Sequence, residues 1–324
     1  MRNEAPQVRV KTMTHSEMGS DEWRIINWKQ IQKNVYRLQT RIFKAKRRGD
    51  TKQVHRLQRL LMKSRSAKLL AVRRVTQDNR GKKTPGVDGI KSLTPKQRLD
   101  LANNLSLTGK SKPTRRVMIP KPGTNKERPL GIPCMFDRAR QALVKLVLEP
   151  EWEAVFEPNT YGFRTGRSTH DAIGAIFAGI SKRDKYVFDA DIEKFFEKIN
   201  HKTLLNKLKT LPSIHRQIKA WLKAGVVMNG ELLSTNEGSP QGGVISPLLA
   251  LVYLQGFETA IRGCINPGRN AQQELTVAIY ADDFVVLHKS LDVILKCKAT
   301  AEQWLTGMSL ELEPSKTRIS HTLK

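Results

Sequence analysis

Apolar positions recur along the chain in two periods. From Trp28 onward, Ile31, Val35, Leu38 and Ile42 fall at helical spacing, and Asn27 followed by Gln30 resembles a capping box. Gly49-Asp50 predicts a break. Val54, Leu57 and Leu61, continued by Leu70, Ala71 and Val75, then predict a second helix. Residues 1–22 are polar and aperiodic and predict a flexible lead-in. Further on, Arg115–Pro120 and Pro129–Pro133 predict two strands joined by the turn-rich stretch Lys121–Arg128, and Asp137–Val147 predicts a helix. Tyr186 to Glu193 alternates like a strand. Leu248, Leu249, Leu251 and Val252 mark a helix after Ser246, and Leu291–Leu305 a second one after Ser290. Leu275–Tyr280 and Phe284–His288 predict a hairpin, Leu310–Glu313 alternates like a strand, and a last short strand follows Lys316-Thr317.

Charge changes this picture at the N-terminal end. Of the 324 residues, the first 130 hold 33 Lys and Arg against 9 Asp and Glu, whereas residues 131–324 hold 24 against 21. The N-terminal third is a cationic module suited to a polyanion, most naturally nucleic acid, with an acidic membrane surface as the rival. Its helices are crowded with Arg41, Arg48, Arg56 and Arg59 and carry almost no acids, so RNA or DNA backbone contact outweighs a merely solvated face. The loop Gly81–Gly89 adds Lys82 and Lys83 in a glycine-rich setting but lacks the spacing of a P-loop. Tyr161–Ser168 mixes aromatics, glycines, Arg164 and Arg167, a mixture equally suited to nucleic-acid stacking or to an anchored loop. No apolar run reaches membrane-spanning length, and Cys134, Cys264 and Cys297 stand isolated, so an intracellular, cytoplasmic setting is expected.

The acids sit where apolar strands end. The hairpin tip carries Asp282 beside Asp283, and in the upstream strand Asp189, Asp191 and Glu193 share one face. Like charges this close need a counter-charge, and Asp oxygens suit Mg²⁺, although an ordinary Asp-Asp turn has the same appearance. A cationic tip on the predicted Arg115–Pro133 hairpin, with Lys121, Lys126 and Arg128, suits a triphosphate or a strand backbone. Two acidic elements, a cationic hairpin and a basic module fit nucleotidyl transfer assisted by two metal ions.

The order of these motifs resembles the group II intron-encoded reverse transcriptase (maturase) family. The resemblance rests on Pro85–Gly89, Ile119–Pro122, Arg128–Pro133, Tyr161–Ser168, Asp191–Phe196, Ser239–Pro247, Tyr280–Asp283 and Lys316-Thr317, and runs from about Trp23 to the end. It implies that Asp191, Asp282 and Asp283, with the Ile192 carbonyl, hold two Mg²⁺ ions, with Mn²⁺ as a substitute, and that Asp189 is a neighbour. Lys121 and Arg128 correspond to residues that bind the incoming triphosphate. Gln241 corresponds to the residue that contacts the nucleotide sugar and base. Phe196 corresponds to the gate against a ribose 2′-OH, and Lys316 to a proton donor toward pyrophosphate. The basic helices and the Pro85–Gly89 loop correspond to the extension that grips RNA.

The fold so implied is α+β. Right-hand polymerase fingers and palm are expected, with a small antiparallel palm sheet backed by helices and a helical N-terminal extension. The expected division is lead-in 1–22, extension 23–90, fingers 91–185 and palm 186–324 with some fingers elements interleaved. The family's thumb and C-terminal domains would follow Lys316-Thr317, and with the chain stopping at Lys324 they are expected to be absent and the grip on a duplex weak. Expected partners are an RNA template, structured intron RNA, a DNA primer or target and deoxynucleoside triphosphates, with a second copy of the chain as a further candidate and no membrane. Three rivals remain: an RNA-binding splicing factor without polymerisation, a defence-linked reverse transcriptase on the same fold, and an RNA-templated RNA polymerase, which Phe196 disfavours.

Overall fold

The structure is a computed structural model that describes residues 22–120, 123, 125, 127–181, 183–265 and 274–323. The expected lead-in, apart from Glu22, and the cationic residues Lys121 and Lys126 lie outside the described residues.

The basic module is helical. Trp28–Arg47 starts at Asn27, whose side chain accepts the Gln30 N–H at 3.0 Å. Only this half of the capping box forms, because the Gln30 amide bonds Asn34 instead. Asp50 caps Thr51–Lys63 in the same way through the Gln53 N–H. The expected second helix is in fact two. Ser64 is extended, with ψ 124°, and separates Thr51–Lys63 from Arg65–Arg73, which runs into a π-turn over Arg74–Asp78. The break lets Ala67, Leu70 and Ala71 turn inward after Leu61, which one straight helix would not allow. All these helices bury their apolar stripes against one long helix, Met135–Glu153, which extends past both ends of its expected span. Buried Glu151 on that helix receives Lys46 at 2.8 Å and Gln58 at 2.7 Å, so its charge is answered from the basic module.

Two four-stranded sheets follow. The first is β2-β1-β4-β5, built from β1 (Thr114–Pro120), β2 (Glu127–Ile132), β4 (Val226–Met228) and β5 (Glu231–Leu233). β1 pairs antiparallel with β2 and parallel with β4. β4 and β5, at three residues each, are too short to show a period in sequence. The second sheet is antiparallel, in the order β6-β7-β3-β8, from β3 (Tyr186–Asp191), β6 (Thr276–Tyr280), β7 (Asp283–His288) and β8 (Arg318–His321).

Helices Phe257–Gly263 and Leu291–Gly307 back this sheet. Phe257 meets Phe284 edge-on at 4.9 Å, and Phe284 meets Phe188 at 5.4 Å. Leu310–Glu313 is not a strand. The Leu310 N–H closes the preceding helix onto Leu305, leaving only a bridge between Leu312 and Ile192. One apolar core runs from Trp23 to Leu310, so the basic module shares its interior with the second sheet. The fold is α+β with fingers and palm, as expected. Among the described residues no helix is long and apolar enough to cross a membrane.

Candidate active site

Register brings the acids together. In the β3–β7 pairing Asp191 lies opposite Asp283, and in β6–β7 Tyr280 lies opposite Asp283, which makes Ala281-Asp282 the two-residue turn. Ala281 takes φ 60°, the left-handed value that so tight a hairpin requires. The turn is held from three sides. The Ile192 N–H donates to the Asp282 carbonyl at 3.0 Å, and the Tyr161 N–H donates to Ile279 at 2.8 Å. Gly162 lies flush against the turn, where a Cβ would stand 2.3 Å from the Ala281 nitrogen.

The carboxyls of Asp191 and Asp283 share a hydrogen bond, and Lys316 Nζ sits 2.6 Å from Asp191 Oδ2. Asp283 keeps an exposed edge, yet its carboxyl is pushed up to about 6. Partial desolvation contributes most, followed by the bond to Asp191 and the charges of Asp282 and Asp191, with Lys316 opposing. The Lys316 ammonium is held above its ordinary value, first by its bond to Asp191. The expectation that three acids on one strand face need a metal is modified by cations the chain itself supplies. Asp189 is paired with Arg318 at 2.8 Å, Asp191 with Lys316, and Glu193 with Lys198. Asp189 is thus a neighbour engaged elsewhere.

Among the described residues no three His, Cys, Asp or Glu side chains form a ready-made metal cluster. The donors nonetheless fit a hard divalent cation. Asp191 and Asp283 converge through carboxylate oxygens, Asp282 adds its charge beside them, and the largely exposed Lys316 is the cation that faces them.

Phe196 lies near this centre on a short helix, Phe195–Lys198, entered through Lys194 at φ 45°. Its carbonyl accepts the Ser239 N–H at 2.7 Å, and the Gly238 N–H donates to Ile199. His201 Nε2 lies 2.7 Å from the Gly238 carbonyl, and burial holds its imidazole below the ordinary value. The Gln241 carbonyl accepts the Gly131 N–H at 2.6 Å, which stitches its loop to β2. Phe196, Gln241 and the strand that carries Arg128 are therefore connected by backbone bonds.

The other expected contacts divide. Arg41, Arg48, Arg56, Arg59, Lys83 and Arg167 are exposed. Arg48, with Lys44 and Arg47, rims an open cavity of about 700 Å³ lined also by Tyr36 and Phe43. Two of the expected contacts are drawn back onto the chain. Lys82 turns back onto the Gln77 carbonyl at 2.7 Å. Arg164 points inward, bonding Glu153 through Nε and Nη2 and the carbonyls of Glu157 and Thr160 through Nη1. With those donors engaged, Arg164 is a clamp on its own loop and is not available to a phosphate. Sequence reasoning missed Phe163, Arg318 and His201. Arg318 had a signal, because Lys316 and Arg318 repeat the two-residue spacing of Asp189 and Asp191.

Residues 23–105 match the family described as the N-terminal domain of reverse transcriptase, and residues 119–324 match reverse transcriptase (RNA-dependent DNA polymerase). Protein YkfC of Escherichia coli K12 is 32% identical, covering 82% of this chain and 80% of its own length. The group II intron-encoded protein LtrA of Lactococcus lactis is 39% identical over 45% of this chain, but this covers only 25% of LtrA. Maturase-like protein 1 of Euglena gracilis is 29% identical over 74% of this chain and 53% of its own length. A solved structure of apo telomerase from Candida tropicalis matches 74% of this chain with a TM-score of 0.51 at 12% identity, a likeness of fold.

Proposed function

The chain belongs to the reverse transcriptase (RNA-dependent DNA polymerase) family, among its group II intron-encoded members, and from that premise we propose that the site around Asp191, Asp282 and Asp283 adds deoxynucleotides to a primer 3′-OH on an RNA template. The observation that carries this reading is the meeting of the Asp191 and Asp283 carboxyls at the end of paired strands, answered by Lys316. Asp191, Asp282, Asp283 and the Ile192 carbonyl would hold Mg²⁺, which when bound supplies charge neutralisation and activation of the attacking hydroxyl. Lys316, more than half exposed, is free to swing from Asp191 toward a departing pyrophosphate and donate its proton there. Phe196 closes the space beside a ribose 2′-OH, Gln241 meets the sugar edge, and Arg128 faces the triphosphate. Primer extension on an RNA template with Mg²⁺ tests the reading. Deoxynucleotides, and not ribonucleotides, should be incorporated, and the Asp282→Ala/Asp283→Ala variant should be inactive. Unchanged incorporation by that variant would sink it.

A second reading, RNA binding for intron splicing and mobility, is favoured by the exposed Arg41, Arg48, Arg56 and Arg59 on adjoining helices. It predicts salt-sensitive binding to structured RNA that survives loss of the acids. Loss of that binding in a folded double-Ala variant would count against it.

A further inference from the structure

Phe163 is the one aromatic among the described residues with a left-handed backbone, at φ 62°, a conformation that bulky side chains rarely accept. Strain of this kind persists only where the surroundings over-determine it, and it gathers at working sites. Here the surroundings are identifiable. On one side of Phe163, Tyr161 is bonded into the catalytic hairpin through Ile279, and Gly162 is pressed against the Ala281 backbone. On the other side, the Arg164 guanidinium is locked by Glu153, Glu157 and Thr160. Held between these anchors, the Phe163 ring remains 42% exposed, so core packing does not explain its position. It meets the ring of Phe196 edge to face, with centroids 5.8 Å apart and planes at 74°.

We propose that Phe163 is a positioning residue for sugar selection, fixing the Phe196 ring relative to the catalytic turn so that a 2′-OH is excluded. This rests on the gate reading of Phe196 given above. Among the described residues Phe196 has two ring neighbours. Phe195, at 5.5 Å, holds it from the core, and Phe163 holds it from the loop that is bolted to Ala281-Asp282. Without Phe163 the gate keeps its core contact and loses its link to the metal-binding acids. The ring can then tip away from the incoming sugar. An edge-to-face pair of this kind is worth roughly three- to tenfold in an equilibrium.

The test compares single-nucleotide incorporation of a deoxy- and a ribonucleotide by the unsubstituted chain, Phe163→Gly, Phe163→Tyr, Phe196→Ala and the Phe163→Gly/Phe196→Ala pair. Glycine accepts φ 62° without strain, so Phe163→Gly removes the ring and leaves the backbone at ease. The ribo-to-deoxy efficiency ratio should rise roughly three- to tenfold in Phe163→Gly. It should return to the native ratio in Phe163→Tyr, and it should rise no further in the pair than in Phe196→Ala alone. An unchanged ratio in Phe163→Gly, or additive effects in the pair, overturns the proposal. A Phe196→Ala variant that still rejects ribonucleotides overturns the gate reading itself, a separately visible failure. A readout independent of catalysis is a double-mutant cycle on urea unfolding. It should show the two rings coupled by roughly three- to tenfold in the unfolding constant, and zero coupling also overturns the proposal.

Discussion

Replacing Asp283 with Asn isolates the charge problem at the hairpin tip, because the side chains share a shape and Asn cannot ionise. The native carboxyl rises from its ordinary 3.8 to about 6. The folded chain therefore binds this proton more tightly than the unfolded one does. The sign follows: stability falls as pH rises from about 4 to about 6 and stays lowered above that window. Undiscounted, the penalty at neutral pH would be roughly 3 kcal/mol. Asp283 keeps an exposed edge, so solvent screening brings this down to about 1 kcal/mol. The Asn variant should then be more stable than the native chain by about 1 kcal/mol at pH 7.5, roughly a 2 °C gain in Tm for a domain of this size. By the same relation the gain should halve near pH 5 and be nearly gone at about pH 4. Millimolar Mg²⁺ should close the gap by stabilising only the native acid pair, and incorporation by the Asn variant should fall. Thermal and urea unfolding across that pH range, with and without Mg²⁺, measure all of this. An Asn variant with no advantage at pH 7.5, or with the same advantage at pH 4, would show that crowding at the hairpin tip does not raise the Asp283 carboxyl.

Three further outcomes follow from neighbouring contacts. Lys316→Met removes the cation that restrains Asp283, so the acid limb of the pH profile of incorporation should move upward, and an unmoved limb would remove Lys316 from the site. Gly162→Ala drives a Cβ to 2.3 Å from the Ala281 nitrogen, backbone against backbone, and should cost about 1–3 kcal/mol and most of the incorporation; a fully active, equally stable variant would refute that packing. Arg164→Ala strips the clamp from Glu153 and two carbonyls and should cost roughly 3 kcal/mol in urea unfolding, leaving the salt slope of RNA binding unchanged; a shallower slope would return Arg164 to the RNA face.

The acids were legible because alternation in a strand and an acidic pair between two apolar runs are local patterns. Asp191 on a strand face and Asp282-Asp283 at a hairpin tip could be read as two acidic elements before any register was known, and the family resemblance implied that they meet. The cations that answer them were not, because pairing Arg318 with Asp189 and Lys316 with Asp191 requires β8 to lie beside β3, some 130 residues away in the chain. The same limit explains Arg164. In sequence it is one more arginine among glycines and aromatics, and only the fold brings Glu153 and the Thr160 carbonyl to its guanidinium. The N-terminal helices were legible by period, but the kink at Ser64 was not. It answers to the shape of the Met135–Glu153 helix that both segments cover, and not to a breaker in the sequence.

Lys82 and Arg164 both sit in glycine-containing loops that fold back on the chain: Lys82 gives one N–H to the Gln77 carbonyl, and Arg164 spends its donors on Glu153, Glu157 and Thr160. Arg41, Arg56 and Arg59 stay exposed on regular helices, where the backbone satisfies its own carbonyls and leaves the side chains free, but Arg167 stays exposed in the same loop as Arg164. Within one loop the outcome differs from arginine to arginine: Arg164 has a carboxylate and two carbonyls within reach and is consumed by them, while Arg167 stays exposed over the Tyr161 ring. The helices offer charge outward, while in the loop packed against the Ala281 backbone Arg164 is spent on holding the chain around Gly162 in place.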